Sequence, residues 1–158
     1  MQNTFLILLI TFSVAFLEPT VAEPVSSGDA QESQMTAGEI MRQMLPAEVV
    51  AGMESSKKGD FFAAELSRLS IENVYQQLWT RPGLSLRDRS LVTISILIAQ
   101  GNENELKYHI AAGLRNGLTA EELEEVIYHS TAYAGFPRAA EARAIAAEVI
   151  AKESKTRE

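Results

Sequence analysis

An all-α fold is predicted for this chain by three observations. Beyond Met35 no run alternates apolar and polar residues as a half-buried strand requires, an apolar period of about 3.6 residues recurs instead, and the boundaries between periodic blocks carry helix start and stop signals. The expected architecture is one compact domain of about six helices, because 158 residues with 46% apolar and 22% charged side chains suit a single core. The chain contains no cysteine, which removes thiol peroxidase chemistry, a cysteine zinc site and a lipid-anchored lipoprotein. Its net charge is −7 and no block of basic residues could follow a phosphate backbone, so nucleic acid is excluded as a partner.

The first stretch reads as a targeting segment. Phe5 to Leu17 form an uncharged apolar run of 13 residues, within the roughly 7 to 15 of a secretory h-region and short of the roughly 20 that a spanning helix needs. Glu18 and Pro19 end the run, and Ala22 offers a small residue for cleavage, so residues 1–22 are assigned as a signal peptide although Met-Gln-Asn-Thr carries no Lys or Arg. The mature protein is expected to be exported, periplasmic or secreted, with no membrane association. Residues 23–35 are too poor in apolar surface to fold alone and form a linker. The helical domain occupies residues 36–154.

Thr36 and Glu39 make a capping box that opens the first helix, and Pro46 suits the first position of a second, with Met41, Met44 and Met53 as adaptable apolar residues. Asp60 can cap a helix in which Ile71, Val74, Tyr75, Leu78 and Trp79 form one stripe, stopped by Pro82-Gly83. Ser85 and Asp88 are a weaker capping pair before Leu91 to Ala99, a segment apolar on all sides and therefore expected to be a central helix surrounded by protein. Asn102 begins the next helix, which runs through Leu106, Ile110 and Leu114 to Gly117, a candidate left-handed residue. Thr119 and Glu122 form the clearest capping box. Their helix ends at Gly135, and Pro137 opens a final Ala-rich helix to about Lys152.

The two histidines each follow a glutamate by one turn, Glu105 before His109 and Glu125 before His129. At this spacing a carboxylate can orient an imidazole and raise its pKa, which suits a proton donor near neutral pH; an ordinary exposed ion pair has the same spacing. For His109 the catalytic reading gains from Ala112 and Gly113, small residues expected to leave space beside the ring. The second pair continues along one face as Glu122, Glu125, His129 and Tyr133 towards Tyr133-Ala-Gly-Phe-Pro-Arg138, where one helix stops and another starts. That N-terminus, with Arg138 in its first turn, would favour an anion. Arg87 and Arg89 stand where the apolar helix begins. A guanidinium held at a buried edge needs a partner, either an anionic ligand or a structural carboxylate such as Glu72 or Glu105. The two Glu-His pairs could instead form a four-ligand zinc site, but the sequence lacks the spacings that make a metal motif diagnostic.

Leu78 to Thr93 (LWTRPGLSLRDRSLVT), Glu105 to Ile110 (ELKYHI), Asn116 to Thr119 (NGLT), Glu122, Glu125-Val126-Ile127 and Tyr133 to Pro137 (YAGFP) occur in an order that resembles the carboxymuconolactone decarboxylase family, over about Phe61 to Val149. The resemblance implies the small helical fold shared with alkylhydroperoxidase-D-like proteins, assembled as a homotrimer or homohexamer. The peroxidase branch of that superfamily uses Cys-x-x-Cys-x-x-x-His; here Asn102 and Glu105 stand at the cysteine positions, only His109 matches, and Ser90 stands where an upstream Glu belongs. The decarboxylase branch matches at Arg89-Ser90-Leu91, at Glu105 to His109 and at the Tyr-Ala-Gly-x-Pro turn, but the chain departs from it after Pro137 and in carrying an export signal.

The activity implied is that of a carboxy-lyase, a cofactor-independent decarboxylase or related lyase or isomerase acting on a small anionic carboxylated or lactone substrate. Arg89 would hold an anionic group, His109 oriented by Glu105 would be the general acid, and Tyr133, His129 and Arg138 would bind substrate, without metal or organic cofactor. The alternative is an exported oligomeric module that binds a ligand or partner without chemistry.

Overall fold

The computed structural model describes residues 35–56, 59 and 62–156. The signal and all but the end of the linker, and the Asp60 cap, lie outside the described residues. Among those described there is no strand: α1 is Ala37–Met44, α2 Ala47–Ser56, α3 Glu65–Leu69, a π-helix follows at Ser70–Trp79, then α4 Leu86–Gln100, α5 Glu103–Arg115, α6 Ala120–Ala134 and α7 Phe136–Thr156. The protein is all-α. No described helix is long and apolar enough to cross a membrane.

Local chemistry places most helix boundaries. Thr36 and Thr119 each complete a reciprocal capping box, with Glu39 and Glu122 respectively, which satisfies backbone N–H groups that the first turn cannot pair. Ser85 accepts from the Asp88 amide at 3.0 Å, and Asn102 from that of Glu105 at 3.4 Å. Gly101 closes α4 at φ +68°, Gly117 follows α5 at +100° and Gly135 closes α6 at +86°, the left-handed region in which a side chain is penalised.

Two apolar cores share α5. Leu106 and Ile110 face a larger core with Ile94 and Ile98 of α4, Leu123 and Ile127 of α6, and Ala142 and Ile145 of α7. Ala112 faces a smaller one built from Ile40, Met41 and Met44 of α1 with Ile71, Tyr75 and Trp79 of the π-helix. The helix that borders both cores is therefore α5, although Tyr108 on its outer side is 42% exposed. The expectation that α4 is enclosed is corrected: Val92 and Ile96, one turn apart, are 47% and 51% exposed. Apolar character on every side of α4 marked surface that this lone chain leaves uncovered.

The stripe predicted before Pro82 also changes. Ile71, Tyr75 and Trp79 are buried, but Leu78 is 53% exposed. A π-helix closes its hydrogen bonds from i to i+5, so each turn holds more residues than an α-turn and position i+7 rotates away from position i. Ordinary α-winding would have put Leu78 on the buried face.

Candidate functional site

His109 projects from α5 against the end of the π-helix. Its imidazole stacks on the indole of Trp79, with centroids 6.2 Å apart and planes 21° from parallel. Nδ1 of the ring is buried without a hydrogen-bond partner, so Glu105 acts on the imidazole through charge. Burial holds the His109 pKa below its ordinary 6.5, and the Glu105 carboxylate opposes that shift without overcoming it. The sequence-based expectation of a raised pKa is thus reversed, because removing the ring from water disfavours imidazolium by more than one nearby carboxylate restores. Glu105 also bears on Tyr75, whose hydroxyl is pushed up to about 12, chiefly by burial and then by that negative charge.

The small residues after His109 do not leave a hollow. A Cβ at Gly113 would lie 2.9 Å from Leu118 Cδ1 and 3.0 Å from Ile94 Cδ1, so the glycine lets α4 and the α5–α6 turn close on α5. Ala112 is buried in the smaller core. At the same contact Ser90, fully buried, donates to the Leu86 carbonyl at 2.9 Å and accepts from Asn116 Nδ2, also at 2.9 Å. Asn116 Oδ1 in turn accepts from Gln43 of α1 at 2.8 Å. This polar chain pins α1, α4 and the end of α5 together.

Arg89 reaches neither of the carboxylates suggested as structural partners. Glu72 is engaged by Arg68 at 2.6 Å, while Arg89 Nη2 donates to the Arg81 carbonyl at 2.6 Å. Its Nε is buried and unpaired. Arg87 pairs with Glu122 and with Asp88. Among the described residues, Arg89 Nε and His109 Nδ1 are the two buried side-chain polar atoms without a partner. A short path joins them: the carbonyl that receives Arg89 belongs to the second residue after the tryptophan stacked on His109.

Tyr133 and His129 stand elsewhere. They line a groove of about 680 Å³ between α4 and α6, with Leu91, Ser95 and Val126 along it and Glu121, Glu122 and Glu125 also in its wall. Tyr133 is 80% exposed, and its ring tilts against that of His129 at 4.9 Å. Neither His109 nor Arg89 contributes to this groove. Arg138 lies over Gly101 at the end of α4 and pairs with Glu141 at 3.2 Å. The structure thus groups Arg89, His109 and Glu105 around the π-helix end, and separates them from Tyr133, His129 and Arg138. Among the described residues no three of His, Asp and Glu gather closely enough to hold a metal ion, so the two Glu-His pairs do not assemble into one ligand set.

Residues 68–148, just over half of the chain, match the model of the carboxymuconolactone decarboxylase family. The chain belongs to the carboxymuconolactone decarboxylase family. It is 48% identical over 74 residues to 4-carboxymuconolactone decarboxylase from Acinetobacter baylyi, an alignment covering 47% of this chain and 55% of that protein. With nitrosuccinic acid decarboxylase from Metarhizium robertsii it shares 34% identity over 82 residues, 52% of this chain and 57% of the relative. The chain therefore spans little more than half the length of the curated relatives it matches. The family match runs from α3 into α7 and includes Trp79, Arg89, Glu105, His109, His129, Tyr133 and Arg138.

Sequence reasoning assigned Tyr75 and Trp79 to the core and gave neither a place at the site. The available signal was that both polar-tipped aromatics of the stripe stand one turn apart. Their approach to His109 and Glu105 depends on packing between elements that sequence spacing does not report.

Proposed function

We propose that this chain is a decarboxylase of a small carboxylic acid, with Arg89 and His109 as its catalytic residues. The observation that carries the reading is the pair of buried, unpartnered nitrogens on those two side chains. A buried polar atom left unpaired costs about 1–3 kcal/mol, and an anionic substrate offers acceptors that could relieve this cost. Support comes also from the family and from two relatives named as decarboxylases.

In the proposed reaction the bond between the carboxyl carbon and the adjacent carbon breaks, and CO2 leaves. The electron pair left behind delocalises onto a conjugated carbonyl oxygen as an enolate, next to the Arg89 guanidinium. Imidazolium at His109 then gives its proton to carbon, and solvent restores that proton. The low resting pKa of His109 is compatible with this role, because an arriving carboxylate favours the protonated ring. A positioned proton donor is typically worth about 10² to 10⁴ in rate, and a donor at the oxyanion about 10² to 10³.

Two further parts of the reading concern setting. The exposed apolar residues Val92 and Ile96 favour an assembly in which another copy covers α4; the family resemblance would make it a homotrimer or homohexamer. The apolar run from Phe5 to Leu17 favours export of the mature chain.

The experiment is to incubate the purified protein with unsaturated lactone acids, 4-carboxymuconolactone among them, and with nitrosuccinic acid, following CO2 release. Turnover that falls by about 10² or more in His109→Gln is expected. No release from any acid would overturn the reading and favour a binding module. That second reading rests on the α4–α6 groove, where Glu121 and Glu125, beside a Glu122 already paired with Arg87, suit a neutral or cationic occupant better than an anionic one.

A further inference from the structure

The π-helix ends in a short corner that touches both catalytic residues assigned above. Trp79 lays its indole on the His109 ring at 6.2 Å, and Arg81, two residues later, offers its carbonyl to Arg89 Nη2 at 2.6 Å. These residues approach the site from one turn of backbone, immediately before Pro82-Gly83. The π-winding matters here, because Ile71, Tyr75 and Trp79 share the buried face while Leu78 turns outward. The indole is itself buried, so it is anchored before it meets the imidazole.

We propose that Trp79 is a positioning residue, whose stacked indole orients the His109 imidazole and shields it from water while the same corner of the chain holds the Arg89 guanidinium in register with it. This rests on the decarboxylase reading. Trp79 need not touch the reacting atoms. Without the flat face beside it, the ring can rotate away from the substrate carbon. A misplacement of about 1 Å can cost on the order of 100-fold in rate. The titratable group bearing on the imidazole is Glu105, one turn earlier on α5, whose charge also acts on Tyr75 of the π-helix. Arg89 and Arg81 flank the corner through their own hydrogen bond.

Trp79 is the single tryptophan of the chain, so its fluorescence reports the stack in the unmodified protein. Imidazolium quenches a neighbouring indole. Emission is therefore expected to fall as pH drops below 6.5, and this transition should vanish in His109→Gln but persist in His129→Gln. A transition absent from the parent protein, or unchanged in His109→Gln, overturns the proposal whether or not the protein decarboxylates any acid.

The second arm is kinetic. Trp79→Leu should lower kcat by on the order of 10- to 100-fold with little change in KM, and move the His109 titration upward by NMR, while Trp79→Phe should restore most of both. A folded Trp79→Leu protein with unaltered kcat and titration overturns the positioning role while leaving the decarboxylase reading intact. If Trp79→Leu fails to fold, the fluorescence arm decides. Absence of turnover in the parent protein, with the fluorescence transition present, defeats the decarboxylase reading but leaves the stack established.

Discussion

The imidazole of His109 is held between two opposing influences, burial against Trp79 and the charge of Glu105 one turn earlier. Burial is the stronger, so the protonated ring is disfavoured at rest. If His109 is the proton donor, kcat/KM should fall as pH rises through a limb below 6.5. Glu105→Gln should shift that limb lower still, because it removes the influence that favours imidazolium; a pH–rate profile of the two proteins checks this. The same shift affects stability. With a folded-state pKa below the unfolded value, His109 contributes stability above pH 6.5 that is lost as pH falls through the folded-state value. Tyr75 works in the other direction. Its pKa of about 12, against an ordinary 10.0, means that the unfolded chain ionises first and stability declines between those values as pH rises. Chemical denaturation at a series of alkaline pH values should show a flatter decline for Tyr75→Phe. The Glu105-His109 pair could be found by spacing alone. The sign of the imidazole shift could not, because burial of the ring depends on segments distant in sequence, among them Trp79, 30 residues earlier.

At the level of elements, the boundaries that depend on neighbours in sequence were the legible ones. Thr36, Ser85, Asn102 and Thr119 cap their helices through groups no more than three residues distant, and a capping group makes the same bond wherever the helix later packs. Gly101 has a second constraint beyond its positive φ. The Arg138 guanidinium lies where a Cβ would be. Gly101→Ala is expected to lower stability by about 1–2 kcal/mol, read as a reduced midpoint in denaturant, and to displace Arg138. The π-helix was not legible. Its residues carry an apolar stripe that fits ordinary α-winding, and the wider turn answers to packing of Ile71, Tyr75 and Trp79 against α1 and α5.

For the whole molecule, α5 is the element that both cores require. Ile110, 1% exposed, packs with α4, α6 and α7 in the larger core, and Ile110→Ala should cost about 2–5 kcal/mol by thermal or chemical denaturation. The uncovered apolar face of α4 has the opposite character. If a second copy covers it, Ile96→Glu should reduce the assembled mass in light scattering without lowering helix content, since the side chain already meets solvent in one chain. An apolar helix looks the same in sequence whether it is buried inside its own fold or against another copy. The all-round apolar character of α4 therefore does not distinguish enclosure within one chain from cover by another copy.

The helical class, most helix ends, the family resemblance and the candidacy of Arg89, Glu105 and His109 were readable from sequence, because these follow from near-neighbour bonds, periodicity and residue type. That Trp79 covers His109, that Arg89 turns to the Arg81 carbonyl, and that Tyr133 and His129 face a separate groove emerge from packing alone. Spacing along one helix selects a face, but the occupant of that face comes from distant segments whose approach depends on packing and desolvation across the folded chain.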